Sequence, residues 1–143
     1  MSLTVIDASV AAKWFLPARG ETLVDEAFHL FRRYAKGEIQ FLVPDLFWAE
    51  LANIFWKALR QGRCGKEAAE MALVSLRDRK LPTISSLSLL DVAFGIATAF
   101  DRSVYDALYV ALAVHSKGQL VTADERLANV LAAHLPVKWL GAM

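Results

Sequence analysis

Short apolar runs alternate along this chain with longer stretches of helical periodicity, and most of the short runs show no polar face. These runs are Leu3–Ile6, Gln40–Val43, Leu81–Ile84, Gln119–Thr122 and Val137–Leu140, and most of them are apolar on both faces. A strand with one face in water alternates polar and apolar residues, whereas one without alternation is covered on both sides. Between these runs, Glu21–Lys36 carries Leu23, Ala27, Leu30, Phe31 and Tyr34 at helical spacing, with Gly37 as a stop. Pro44 is placed to open a second helix that ends near Gln61-Gly62. Lys66–Arg79, Leu89–Phe100, Val104–Ser116 and Asp124–His134 continue the helical pattern. Strand–helix alternation predicts an α/β fold, a parallel sheet covered by helices on both faces. At 143 residues and 56% hydrophobic, the chain predicts a single domain, 1–143, with a large core.

Four acids stand inside or beside the apolar runs: Asp7, Glu50, Asp106 and Asp124. A carboxylate in such surroundings is costly unless something cationic shares the site. In parallel sheets, sites form beyond the carboxyl ends of the strands. Asp7 and Asp124 fall there, Asp106 in the first turn of a helix, and Glu50 on the second turn of the helix after Gln40–Val43. If the four converge, their natural occupant is a hard divalent metal, and the chemistry is phosphodiester hydrolysis.

Each acid has a plainer reading to weigh. Asp7 can cap a helix beginning near Ala8. Ser103-Val104-Tyr105-Asp106 and Thr122-Ala123-Asp124-Glu125 both match capping boxes, as does Ser88-Leu89-Leu90-Asp91, where capping is the whole account. Glu50 resists this treatment. It is too deep to cap, and Leu46 and Ile54 give it no ion-pair partner one turn away. Its helix is apolar nearly all round, which predicts burial. A long-range Arg or Lys is the ordinary partner for such a residue; a metal or its water is the functional one, and we follow the second. Asn53 and Lys57 continue the same face, as part of a site or as its solvated margin. Ser9 and Thr122 can hydrogen-bond a carboxylate or a bound water, or simply cap.

The rest of the chain mostly excludes. A net charge of +1 gives no global field, so contact with nucleic acid needs a local patch. The basic clusters Arg32-Arg33-Lys36 and Lys57-Arg60-Arg63-Lys66 can line a phosphate path or be solvated faces. Lys13 is near enough to the first strand to approach its rim. Cys64 is the only cysteine, so no intrachain disulfide or thiolate cluster forms, which fits a reducing, cytoplasmic setting. His29, His115 and His134 lack metal-ligand spacing. No signal peptide is expected, and no apolar run is long enough for a membrane span.

Four segments, in order, resemble the PIN-domain ribonucleases, most closely the VapC toxins of prokaryotic toxin–antitoxin pairs. They are Val5-Ile6-Asp7-Ala8-Ser9-Val10 with Lys13-Trp14-Phe15, Val43-Pro44-Asp45 through Glu50-Leu51-Ala52-Asn53, Ser103 through Ala113, and Leu120 through Leu127. The resemblance covers almost the whole chain, though Lys66–Ile84 carries no motif. It implies a PIN-like three-layer α/β/α sandwich with a five-stranded parallel sheet. It implies Mg²⁺ or Mn²⁺ held by Asp7, Glu50, Asp106 and Asp124 as the catalytic set, with Ser9, Asn53 and Thr122 in support. It implies an RNA substrate, a homodimer, and a cognate VapB-type antitoxin whose tail blocks the groove. Two alternatives stay open beside it. A small metal-assisted phosphatase would carry a second aspartate where Ser9 stands, and a non-enzymatic PIN-like module would use the acids as caps and ion pairs.

Overall fold

The computed structural model describes residues 2–143. Five parallel strands form one sheet in the order β3-β2-β1-β4-β5: β1 Ser2–Ile6, β2 Ile39–Pro44, β3 Thr83–Ile84, β4 Gln119–Thr122 and β5 Val137–Trp139. The helices are α1 Ala8–Ala12, α2 Val24–Ala35, α3 Leu46–Arg60, α4 Lys66–Asp78, α5 Ser86–Phe100, α6 Val104–Ser116 and α7 Glu125–Leu131. A 3₁₀ turn, Leu140–Ala142, ends the chain.

The strand order reverses direction between β1 and β4. Crossovers between parallel strands are right-handed, so α1–α4 cover one face and α5–α7 the other. The three-layer α/β/α sandwich with five parallel strands is therefore as the sequence led one to expect. The reversal also opens a crevice at the carboxyl ends of β1 and β4, where doubly wound sheets bind their ligands. Val5, Ile6, Leu120 and Val121 are all at most 1% exposed, which explains strands without a polar face.

Helix α6 packs across β1, β2 and β4, with α5 stacked against it. Every residue from Ala107 to Ala113 is buried. Small side chains at Ala107, Ala111 and Ala113 let the helix sit close to the sheet and to α5 at once. The opposite was found for α3, whose pattern suggested burial nearly all round. It buries one stripe, Phe47, Leu51, Phe55 and Ala58, and leaves Trp56 half exposed. Glu50 lies at the margin of that stripe, partly buried.

Several element ends differ from the sequence reading: β3 begins at Thr83, α7 ends at Leu131 and β5 ends at Trp139, and four further differences have a clear physical reason. Pro44 closes β2 and does not open the helix. Proline lacks only an N–H, and at a strand's last residue the next amide, Asp45, makes the bond to the Ile84 carbonyl at 2.9 Å. Helix α5 starts at Ser86, before Leu89, so Ser88 is helical and not a cap. The Asp45 carboxylate accepts from the Ser86 amide at 3.1 Å, and this donor-capturing acid lies 41 residues away in sequence. Asp124, not Thr122, caps α7, by accepting from the Leu127 amide at 3.1 Å. At the other side, α2 begins at Val24 after a left-handed Leu23, leaving Glu21 in a loop. Gly37 does stop α2. With φ at +78° it lets the Glu38 amide return to the Arg33 carbonyl at 3.0 Å, a Schellman closure. Among the described residues, no helix is long and apolar enough to cross a membrane.

Candidate active site

The crevice at the sheet reversal holds a cavity of about 360 Å³ lined by Asp7, Ser9, Glu50, Asn53, Lys57, Asp106, Tyr109 and Asp124. The four acids singled out in the sequence thus meet on one rim, delivered by the β1 end, α3, α6 and the β4 end. A larger cavity, about 540 Å³, lies at the amino ends of the strands around Tyr34, Ile39 and Arg79, and carries no acids.

Asp7 is the most heavily bound of the four. Its Oδ1 accepts from the Ser9 hydroxyl at 2.6 Å and from the Val10 amide at 3.1 Å. Its Oδ2 accepts from the Thr122 hydroxyl at 2.5 Å. Asp7 therefore caps α1 and at the same time lines the cavity. Thr122, fully buried, donates to Asp7 and accepts from the Asp124 amide at 3.0 Å, so one hydroxyl links the ends of β1 and β4. Ser103 caps α6 by accepting from the Asp106 amide at 3.1 Å, which fixes that backbone while the Asp106 side chain lines the cavity.

Glu50 has a partner that sequence reasoning missed. The Tyr109 hydroxyl donates to its Oε1 at 2.5 Å. Tyr109 is three residues beyond Asp106, so both point from α6 toward the same rim. That spacing was the available signal: a hydroxyl within the apolar middle of the helix, on the face of an acid. Lys13, by contrast, does not reach the cavity. It is buried, and its Nζ meets Glu21 Oε1 at 3.1 Å. Glu21 Oε2 in turn meets Arg63 Nη2 at 2.5 Å.

Electrostatically the site is short of positive charge. Burial raises the pKa of Asp7 above the ordinary value; the bonds from Ser9, Thr122 and Val10 pull it back, and the charge of Asp106 adds to the rise. Burial also raises Glu50, opposed by the Tyr109 bond and reinforced by Asp7 and Asp106. Asp106 is raised by burial first and by Asp124 next, with Ser103 and Arg102 acting against. Three carboxylates are held above their ordinary range in part by neighbouring carboxylates, and among the described residues Lys57 is the only cation on the cavity wall. Among the described residues, no three His, Cys, Asp or Glu side chains form a ready-made cage for an ion. The acids ring an open cavity.

The PIN-domain family model matches residues 4–132. Ribonuclease VapC3 of Pyrobaculum aerophilum is 33% identical over 131 residues, which cover 90% of this chain and 95% of that protein. The crystal structure of PAE2754 from the same organism superposes with a TM-score of 0.70 at 23% identity, over 99% of this chain and 85% of the other. A VapBC2 complex from Rickettsia felis, bound to a DNA fragment from its promoter, contains a chain with a TM-score of 0.65 at 13% identity, over 96% of this chain and 98% of that one. With the sheet order, the reversal crevice and the acidic rim already in hand, the family match over most of the length settles the classification: this chain belongs to the PIN-domain family.

Proposed function

We propose that the chain is an endoribonuclease that hydrolyses RNA phosphodiester bonds with a divalent cation, as the toxin of a type II toxin–antitoxin pair. The observation that carries this is the convergence of Asp7, Glu50, Asp106 and Asp124 on one cavity that offers little positive charge of its own. The 33% identical relative, named a ribonuclease, supports the substrate class.

The donor set fits a hard cation, because the rim's four carboxylates and the Ser9 and Tyr109 hydroxyls all offer oxygen. Its openness fits Mg²⁺ or Mn²⁺, since Mg²⁺ keeps several of its own waters and needs few protein ligands. The residues that would hold it are Asp7, Asp106 and Asp124, with Glu50 beside them. When bound, the ion supplies the Lewis acidity that phosphodiester hydrolysis at neutral pH requires.

The chain's own groups do the rest. Ser9, Val10 and Thr122 fix both oxygens of Asp7, so its carboxylate is aimed before anything binds. Tyr109 fixes one oxygen of Glu50 and leaves the other free to orient a water for in-line attack. Asn53, exposed on the next turn, can hold a phosphate oxygen with its amide.

The VapBC2 complex among the structural neighbours supports a VapB-type antitoxin as partner. Leu87, Leu90 and Phe94 form an exposed apolar row on α5, which supports a homodimer. An RNA substrate goes with a cytoplasmic location. The test is direct. The purified chain should cut RNA with Mg²⁺ or Mn²⁺, a chelator should stop it, and Asp7→Asn or Asp106→Asn should abolish cutting while the circular dichroism spectrum is kept. Cleavage that survives both substitutions overturns the proposal.

A further inference from the structure

Helix α3 continues outward from the acids. Glu50, Asn53 and Lys57 follow one another at helical spacing, and all three line the acidic cavity. Lys57 then lines a second hollow with Trp56, Arg60 and Gln61. The two share that lysine, so they form one continuous path along the helix.

The second hollow has unusual chemistry for a surface. Trp56 is 50% exposed, and the remaining tryptophans, Trp14, Trp48 and Trp139, are all more buried. The Arg60 guanidinium lies over its ring, 5.0 Å from the centroid. Arg63, the next cation of the sequence cluster, is consumed by Glu21. Among the described residues, neither Lys57 nor Arg60 has a carboxylate partner. Two cations without a carboxylate partner, one of them stacked on a half-exposed tryptophan, thus sit beside a site for phosphodiester chemistry.

We propose that Trp56, Lys57 and Arg60 form a shelf for single-stranded RNA, in which one base takes the place of the Arg60 guanidinium on the Trp56 ring and the flanking phosphates meet Lys57 and the displaced Arg60. This rests on the ribonuclease reading and adds where the strand lies. A paired base cannot offer its face to Trp56, so the shelf selects unpaired segments. Stacking is tolerant of base identity, so the shelf sets affinity and not sequence. Trp56 is six residues beyond Glu50, about 9 Å along the helix axis, so the stacked nucleotide neighbours the scissile bond. The four acids repel phosphate; the two cations place attraction just outside that zone, and the strand enters from that side.

The experiment uses the full chain carrying Asp106→Asn, which keeps RNA intact in Mg²⁺. A short fluorescein-labelled single-stranded RNA, and the same strand with abasic sites, are titrated by anisotropy. Trp56→Ala should weaken binding of the base-bearing strand roughly tenfold and leave the abasic strand unchanged. Trp56→Phe should restore most of the loss, because a flat ring remains. Arg60→Ala should weaken both strands and flatten the salt dependence, while Arg33→Ala on α2 should change neither. Equal binding of the base-bearing strand with and without Trp56, or no binding at all, overturns the shelf. So does unchanged RNA binding together with lost affinity for an acidic peptide, which would assign the surface to a protein partner. Base-dependent binding by a chain whose unsubstituted form cuts no RNA would instead overturn the ribonuclease reading and leave the shelf standing.

Discussion

The hydroxyl of Tyr109, carried by the one helix whose middle is buried on every side, donates to Glu50 at 2.5 Å from the far face of the site. Burial and this bond to Glu50 push the phenol far above its ordinary range, so it remains a donor at every working pH. Helix α6 cannot rotate without unpacking Ala107–Ala113, so Tyr109 makes a rigid post against which a partly exposed glutamate is set.

Tyr109→Phe should therefore leave the fold intact and slow cleavage. The ring keeps its packing, and only the donor is lost. A hydrogen bond to a charged group contributes about 1.5 kcal/mol at the low end, roughly tenfold in rate. The loss should fall on kcat with KM little changed, since the group orients Glu50 and touches no substrate. Steady-state kinetics on a defined RNA would measure this, and a variant with full kcat would show that Glu50 needs no post.

The raised carboxylates make a prediction about stability without metal. An acid whose folded pKa exceeds its unfolded value stabilises the fold below the unfolded value and loses that contribution as pH rises through the folded one. Glu50 is raised from 4.5 by burial and by its acidic neighbours. Glu50→Gln keeps an acceptor for Tyr109 and removes the charge. In chelator, its melting temperature should pull ahead of the unsubstituted chain as pH rises above 4.5, with the widest gap near neutrality. A gap that shrinks with rising pH would mean that Glu50 is stabilised in its charged form.

Added Mg²⁺ or Mn²⁺ should reverse this. At a hundredfold excess over the dissociation constant, binding stabilises by about 2.7 kcal/mol, or some 5–10 °C for a domain of this size. The gain should follow the acids: Asp106→Asn should lose most of it, and Glu50→Gln less. Thermal scans with Mg²⁺, Mn²⁺ and chelator decide the matter, and identical curves in all conditions would remove the metal from the proposal.

Legibility from sequence followed locality. Asp7, Asp106 and Asp124 were visible because each closes a strand or opens a helix, and the sheet reversal did the rest. Glu50 was singled out for a reason that proved only half right: α3 is amphipathic, and the all-buried helix is α6. Tyr109 went unread although Asp106 three residues before it gave the face. The Asp45 cap on α5 and the Lys13–Glu21–Arg63 triad could not be read at all. Their partners are as many as 42 residues apart, and no periodicity links a loop to a helix end. The shelf fell between these cases, since its cluster was plain but which cations stayed free depended on Glu21.

That triad supports a last prediction. Lys13 is 6% exposed and follows α1, the helix that Asp7 caps. Glu21 holds it from the loop before α2 and holds Arg63 from the turn after α3. Burial alone would raise the Glu21 pKa, but the bonds and charges of Arg63 and Lys13 outweigh it and lower it. A depressed acid adds stability above its unfolded value, 4.5 here, and loses it as pH falls through the folded value. Glu21→Ala strands a buried ammonium, which costs about 2–3 kcal/mol, below the range for fully buried pairs because Arg63 can turn to water. Its melting temperature should fall by about 6–10 °C at neutral pH, and the deficit should narrow in acid. Adding Lys13→Met should recover much of the loss, since an apolar side chain of similar length needs no partner. Cleavage at permissive temperature should persist in both variants; if Glu21→Ala loses activity while still folded, the triad also aligns α1 and the acid at its start.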